Sequence, residues 1–213
     1  MTSMTKIEKI EKSKHKQERI LVYLEGGDLL RLTEQELLRF GLYVGMDLED
    51  SFVVQLREAG KTSSAKATAA RMVGSRALSR RELERKLQRK GVEEEDARQA
   101  ADWLQDIGAL DDEAYAALLV RHYSRQCYGP AWIRAQLQQR GVPRELWQEA
   151  LEQAPPAEEL IEAYIHKKLQ GRAPDEKELK RLTDALQRRG FSWSAIRPCL
   201  QGLSDSFGWE DEV

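Results

Sequence analysis

Ten cations and only two carboxylates lie between Lys61 and Val92. The cations are Lys61, Lys66, Arg71, Arg76, Arg80, Arg81, Arg85, Lys86, Arg89 and Lys90; the carboxylates are Glu82 and Glu84. The whole chain has a formal net charge of −2, so this excess is local. Lysine and arginine at this density neutralise phosphates and release counterions, which gives salt-sensitive affinity with little reading of base sequence. On a helix, Arg81 and Arg85 are neighbours one turn apart, as are Lys86 and Lys90. Like charges so placed oppose each other by roughly 0.2–0.5 kcal/mol per pair, so a helix that keeps them is suited to a polyanion or an acidic protein surface. The competing reading is a solvated face tempered by Glu82 and Glu84. Arg81, Arg85, Lys86 and Lys90 are the first candidates for contact. Arg121, Arg125 and Arg134 form a second tier, and Arg140 could extend it.

Other chemistry is excluded residue by residue. Ala59-Gly60-Lys61-Thr62 resembles the end of a phosphate-binding P-loop, but that loop needs a second glycine where Gln55 stands, and a strand where the approach reads as helical. His15, His122 and His166 are scattered, and no histidine–cysteine spacing suits zinc. No cysteine–histidine pair falls close enough for a catalytic thiol. No catalytic residue, metal or cofactor is therefore expected, and the chain does not read as an enzyme. Glu93-Glu94-Glu95-Asp96 and Asp111-Asp112-Glu113 suit helix starts, where carboxylates favour the positive end of the dipole. Glu210-Asp211-Glu212 reads as an acidic tail.

The elements that would position the cations follow a repeat. SRRELERKLQRKGV at 79–92, GPAWIRAQLQQRGV at 129–142 and ELKRLTDALQRRGF at 178–191 align on Gly91, Gly141 and Gly190. Four residues before each glycine stands Leu87, Leu137 or Leu186, and four before those Leu83, Ile133 or Leu182. That spacing places one apolar stripe on a helix, which the glycine ends in a left-handed conformation. Val92, Val142 and Phe191 follow, suited to the apolar contact of such a cap. Ala97, Trp147 and Ile196 open a second buried face, continued by Ala100–Ala101, Ala150–Leu151 and Cys199–Leu200. A further helix is expected before each phrase, at Ser64–Ala77, Glu113–Cys127 and Ala157–Leu169. The unit is three helices, stacked because one alone cannot bury its stripe. Trp103, Trp132 and Trp147, with Tyr115, Tyr123 and Tyr128, are expected mostly in packing between these helices.

The first sixty residues differ. Ile20, Val22 and Leu24 share one face of a strand, Glu25-Gly26-Gly27-Asp28 signals a two-residue hairpin turn, and Leu29–Leu32 returns. Thr33 to Glu36 reads as a capping box for a short helix ending at Gly41, and Asp50–Ala59 as another helix. The fold class is therefore mainly α, a tandem array of three three-helix repeats behind a small β-hairpin appendage. The expected divisions are 1–60 for the appendage, 61–110, 111–154 and 155–205 for the repeats, and 206–213 for the tail. A third of the residues are charged and only 7% aromatic, as suits a surface-rich helical protein. With Cys127 and Cys199 as the only cysteines, no apolar span and no secretory start, a reduced, cytoplasmic monomer without membrane contact is expected.

At this point the chain resembles the RecX regulatory proteins, modulators of the RecA recombinase. The resemblance rests on Ala77-Leu78-Ser79-Arg80-Arg81-Glu82-Leu83 with Leu87 and Gly91-Val92, and on Gly108-Ala109-Leu110-Asp111-Asp112-Glu113 with Tyr115. It continues through Gly129-Pro130, Ile133-Arg134, Leu137 and Arg140-Gly141-Val142, covering roughly residues 65–205. The third repeat departs from the pattern, with Ala173-Pro174 in a shifted frame. The resemblance implies a binding protein that sits in the groove of the RecA–DNA filament, touches recombinase and DNA, and limits extension, ATPase and strand exchange. A stand-alone, sequence-independent DNA-binding protein and a helical adaptor for another protein are the alternatives from other classes.

Overall fold

The structure, a computed structural model, describes residues 4–14 and 19–206. The expected acidic tail and His15 lie outside the described residues. The chain divides into two compact units. One takes residues up to Ala77 with Leu83–Leu110; the other takes Leu78–Glu82 with the residues from Asp111 onward.

In the first unit, β1 (Met4–Lys12), β2 (Ile20–Leu24), β3 (Leu29–Leu32) and β4 (Asp47–Glu49) form an antiparallel sheet in the order β3-β2-β1-β4. Side chains alternate across a strand, and here Val22, Leu24, Leu30, Leu32 and Leu48 all turn inward to join Ile7. The hairpin is closed by Gly27 N–H donating to the Leu24 carbonyl and Leu24 N–H to the Asp28 carbonyl. Glu25, Gly26 and Gly27 thus form a three-residue loop where a two-residue turn was expected. Strand β4 carries too short an alternation to be recognised in the sequence. Thr33 caps α1 (Glu34–Arg39) through the reciprocal bonds with Glu36 that the sequence predicts.

The expected break between two helices near residue 60 is absent. Helix α2 runs unbroken from Asp50 to Ser75, 26 residues. Gly60 does not stop it, because this glycine serves packing: a Cβ there would lie 2.5 Å from the Arg31 carbonyl oxygen of β3. Glycine inside a helix costs about 1 kcal/mol relative to alanine, offset here by letting the helix lie directly on the sheet. The same geometry disposes of the P-loop likeness, since Gly60-Lys61-Thr62 is helical. Farther along α2, Ala65 and Ala69 are buried; α4 (Glu94–Asp106), which packs against α2, buries Ala97, Ala100, Ala101 and Leu104. Small side chains allow such helix axes to approach closely. Between them in sequence, α3 (Arg80–Gln88) buries Leu83 and Leu87 completely.

The second unit holds two further helical triplets. The first comprises α5 (Asp112–Arg125), α6 (Pro130–Arg140) and α7 (Trp147–Glu152), with a 3-10 turn at Arg144–Leu146. Its core is Tyr115, Ala116, Leu119, Val120, Ile133, Leu137, Val142 and Ala150. The other comprises α8 (Ala157–Leu169), α9 (Glu176–Arg188) and α10 (Trp193–Ser206), around Ile161, Ile165, Leu182, Leu186, Phe191 and Ile196. Asp111 caps α5 by accepting the Ala114 N–H, as its type and place predict.

All three glycine stops have the expected conformation, with φ of +82° at Gly91, +73° at Gly141 and +86° at Gly190. Each makes the same two bonds. Gly91, Gly141 and Gly190 donate to the carbonyls of Gln88, Gln138 and Gln187; Val92, Val142 and Phe191 donate to those of Leu87, Leu137 and Leu186. This is the Schellman closure, which satisfies carbonyls that the helix leaves without donors.

Candidate nucleic-acid and partner interface

The closures leave the carbonyls of the residues just before each glycine to be satisfied from outside. In the second unit the amino-terminal turn of another middle helix does so. The Ser79 hydroxyl donates to the Arg140 carbonyl and accepts the Glu82 N–H at 3.1 Å, so one side chain caps α3 and ties it to the end of α6. Arg80 N–H donates to the Asp112 carboxylate at 2.8 Å. At the next joint, Gly129 N–H donates to the Arg189 carbonyl at 2.7 Å and Ala131 N–H to the Gly190 carbonyl at 3.2 Å. A Cβ on Gly129 would stand 2.6 Å from the Gly190 oxygen, so only glycine permits that approach.

A cation precedes each glycine: Lys90, Arg140 and Arg189. The two arginines grip the incoming turn. The Arg140 guanidinium lies 3.6 Å from the Glu82 carboxylate of α3. That of Arg189 stacks over Tyr128 at 4.5 Å and Tyr164 at 4.6 Å, and donates to the Gln126 carbonyl at 2.6 Å. Arg140, considered as an extension of the basic strip, is thereby committed to an internal joint.

The remaining cations face outward in varying degree. Arg81 is exposed, though its aliphatic stem lies against Gly141, where an added Cβ would come within 3.0 Å of it. Arg85 is exposed one turn farther along α3, and Lys86 is half-buried. Lys90 is not on the helix, contrary to the spacing argument: α3 ends at Gln88, and Lys90 stands exposed in the capping turn. The helical repulsion expected between Lys86 and Lys90 therefore does not apply. Lys90 instead borders a cavity of about 570 Å³ together with Lys61 and Arg71 of α2. Ser64, Ala65, Thr68, Gly91 and Val92 line it as well, with the carboxylates of Glu93 and Asp96. Glu58 pairs with Lys61 at 2.8 Å and pushes its ammonium further above the ordinary lysine range. Thr62 donates to Asp96 at 2.7 Å. In the second unit, Arg121 and Arg125 are exposed one turn apart on α5, and Arg134 is exposed on α6. Among the described residues, Arg81, Arg85, Lys90, Arg121, Arg125 and Arg134 make no ion pair.

The aromatic side chains are largely taken up by packing. Tyr128 stacks on Trp132 with centroids 4.9 Å apart, and Trp147 donates from Nε1 to the Val142 carbonyl at 3.0 Å. The Lys66 ammonium lies over the Trp103 ring. Cys199 is half-buried against the third core, and burial raises its thiol pKa above the ordinary value. Sequence reasoning missed Ser79 and Arg189 as joint residues. The cation before every repeat glycine was the available signal, and it was counted only as charge. Among the described residues no helix is long and apolar enough to cross a membrane.

Comparison with known proteins matches the three triplets one by one. Residues 65–104 match the family model described as RecX, first three-helix domain; residues 111–151 match the second and residues 157–200 the third. The regulatory protein RecX of Chlorobaculum tepidum is 37% identical over 141 residues, which is 65% of this chain and 87% of that protein. That of Oceanobacillus iheyensis is 29% identical over 210 residues, 94% of this chain and 77% of the relative. Among solved structures, a crystal structure of regulatory protein RecX superposes with a TM-score of 0.69 at 25% identity, covering 91% of this chain and 99% of the other.

Proposed function

The chain belongs to the RecX family of regulatory proteins, and from that premise we propose that it lodges in the groove of the RecA–DNA filament and limits its extension, its ATPase and strand exchange. The observation that carries this reading is the set of exposed cations that make no ion pair among the described residues: Arg81 and Arg85 on α3, Lys90 in its capping turn, Arg121 and Arg125 on α5, and Arg134 on α6. Cations left without internal partners are available to phosphate oxygens and to carboxylates, so contact with the DNA backbone and with acidic protein surface fits best. The protein acts by binding: occupying the groove denies it to the second DNA strand and to incoming subunits. It works in the bacterial cytoplasm, where the filament forms.

The deciding experiment titrates the protein into RecA hydrolysing ATP on single-stranded DNA, at two salt concentrations. Loss of ATPase well below one protein per RecA subunit is the expected result. Loss only when protein is abundant enough to coat the DNA would replace this reading with that of a stand-alone DNA-binding protein, favoured by the same cations. No loss at either salt would refute both and leave the adaptor for another protein.

A further inference from the structure

The two joints of the second unit follow one rule, and the first repeat contains the same seat with nothing in it. In register, Gly91, Val92, Glu93 and Asp96 correspond to Gly190, Phe191, Ser192 and Ala195. The latter four line a hollow whose opposite wall is Pro130, Ala131 and Arg134, from the start of the preceding middle helix. The former four line the 570 Å³ cavity, and no middle helix precedes them to supply that wall. A Cβ added to Gly190 would collide with Trp132, and one added to Gly141 would press on Arg81, whereas one on Gly91 would meet nothing within 4 Å. The cation before the glycine shows the same pattern. Arg140 meets Glu82 and Arg189 meets Tyr128, both from the incoming turn, while Lys90 makes no ion pair among the described residues.

From this geometry we infer that the cavity beside Gly91 is a docking seat for the amino-terminal turn of a helix on the protein partner, and that the partner is the recombinase subunit of the function proposed above. The chemistry of the occupant follows from the filled seats. A helix start carries N–H groups without intrahelical acceptors, and the end of α3 carries carbonyls at the negative end of its dipole, so the two are complementary. The occupant's first residue is small, as Ser79 and Gly129 are, because the approach to a cap excludes bulk. Three residues on, where α3 carries Glu82 and α6 carries Trp132, the side chain that suits this seat is a carboxylate, because Lys90 and Arg71 border it. The cavity's own carboxylates do not cancel this preference: Asp96 accepts from Thr62, which leaves Glu93 against Lys90 and Arg71, with Lys61 matched by Glu58. A second copy of this chain fits less well. The free middle-helix start it would offer is that of α9, whose N-cap Asp175 N–H is already bonded to the Glu178 carboxylate.

The inference rests on the recombinase reading, and its test separates the two. Ser64→Trp and Thr68→Trp are made singly in the full chain; each fills the cavity from α2 and leaves Gly91 and every proposed phosphate-contacting residue in place. Binding of each to RecA filaments assembled on single-stranded DNA, and to the same DNA without RecA, is followed by fluorescence anisotropy of labelled protein, with circular dichroism confirming the fold. The expected result is wild-type binding to bare DNA and a loss on the order of tenfold or more on filaments, the size typical of a blocked anchor contact. Unchanged filament binding by both folded variants would overturn the seat while leaving the recombinase reading intact. Equal losses on filament and bare DNA would assign the cavity to phosphate and overturn it also. Absence of wild-type binding to filaments would refute the recombinase reading, and the inference with it. Should one variant fail to fold, the other decides.

Discussion

One position, occupied by glycine in each repeat, meets three different surroundings and so tests the joint rule quantitatively. Alanine at Gly91, Gly141 or Gly190 carries the same conformational penalty, because all three have φ between +73° and +86°; a left-handed residue with a Cβ costs about 1–2 kcal/mol. At Gly91 nothing more is lost, since the added carbon meets open space. At Gly141 the carbon lands 3.0 Å from both the Cβ and the Cδ of Arg81; the Cδ can swing aside but the Cβ moves only with its backbone, so the total rises to about 2–3 kcal/mol. At Gly190 it lands 2.3 Å from the Trp132 backbone nitrogen, which cannot yield without opening the joint. Overpacking of about 1–3 kcal/mol is then added, with weakening of two backbone bonds worth about 1 kcal/mol each. The expected loss is about 4 kcal/mol, close to a thousandfold in the unfolding constant. Native-state hydrogen exchange at the Leu87, Leu137 and Leu186 amides, followed against denaturant, reads each repeat separately. Equal losses at all three positions would refute the joint rule and reduce the glycines to interchangeable helix stops.

Other consequences can be checked with less effort. Arg189→Ala should cost about 2–4 kcal/mol, through two ring contacts and a charge-assisted bond to the Gln126 carbonyl; Arg189→Lys should recover under half in urea titrations, because lysine lacks the planar guanidinium. Gly60→Ala should destabilise the first unit by about 2–3 kcal/mol by forcing a Cβ against the Arg31 carbonyl, and a neutral effect in thermal melts would contradict the close approach. Neutralising Arg85 and Arg121, Arg85→Gln with Arg121→Gln, should leave the helical circular-dichroism signal intact and lower the salt slope of single-stranded DNA binding by about 1.4. An unchanged slope would remove both from the phosphate contact. Burial raises the Cys199 thiol pKa, so this group keeps its proton to higher pH than a free thiol and its alkylation should lag behind a small-molecule thiol at pH 8; equal rates would show the thiol to be exposed.

Much of the helical architecture was legible because it is written in periodicity. Leucines four apart and a glycine four residues on specify a helix and its stop, and all three stops have the predicted left-handed geometry. The capping box at Thr33 and the cap at Asp111 were equally readable, because each needs only local bonds. What escaped was non-local. Gly60 read as a break, since its reason, the Arg31 carbonyl of β3, lies far away in sequence. Strand β4 has three residues and exists because β1 offers an edge. Among the candidate contact residues, charge was visible in the sequence and commitment was not. Arg140 is spent on a joint, Lys90 lies beyond its helix, and only their places in space separate these from Arg85 or Arg121.

The unbroken course of α2 bears on how this molecule comes apart. Folded parts joined by a loop can be cut apart and rejoined with others, because few contacts cross the seam. Between the sheet and the first repeat there is no seam. A single rod about 39 Å long serves both, on the usual rise per residue, and the glycine at its middle is fitted to a carbonyl of the sheet. A chain cut at residue 60 would lose the part of that rod seated on the sheet and strip cover from the rest, so in this chain the sheet and the first repeat should open together, as one cooperative piece.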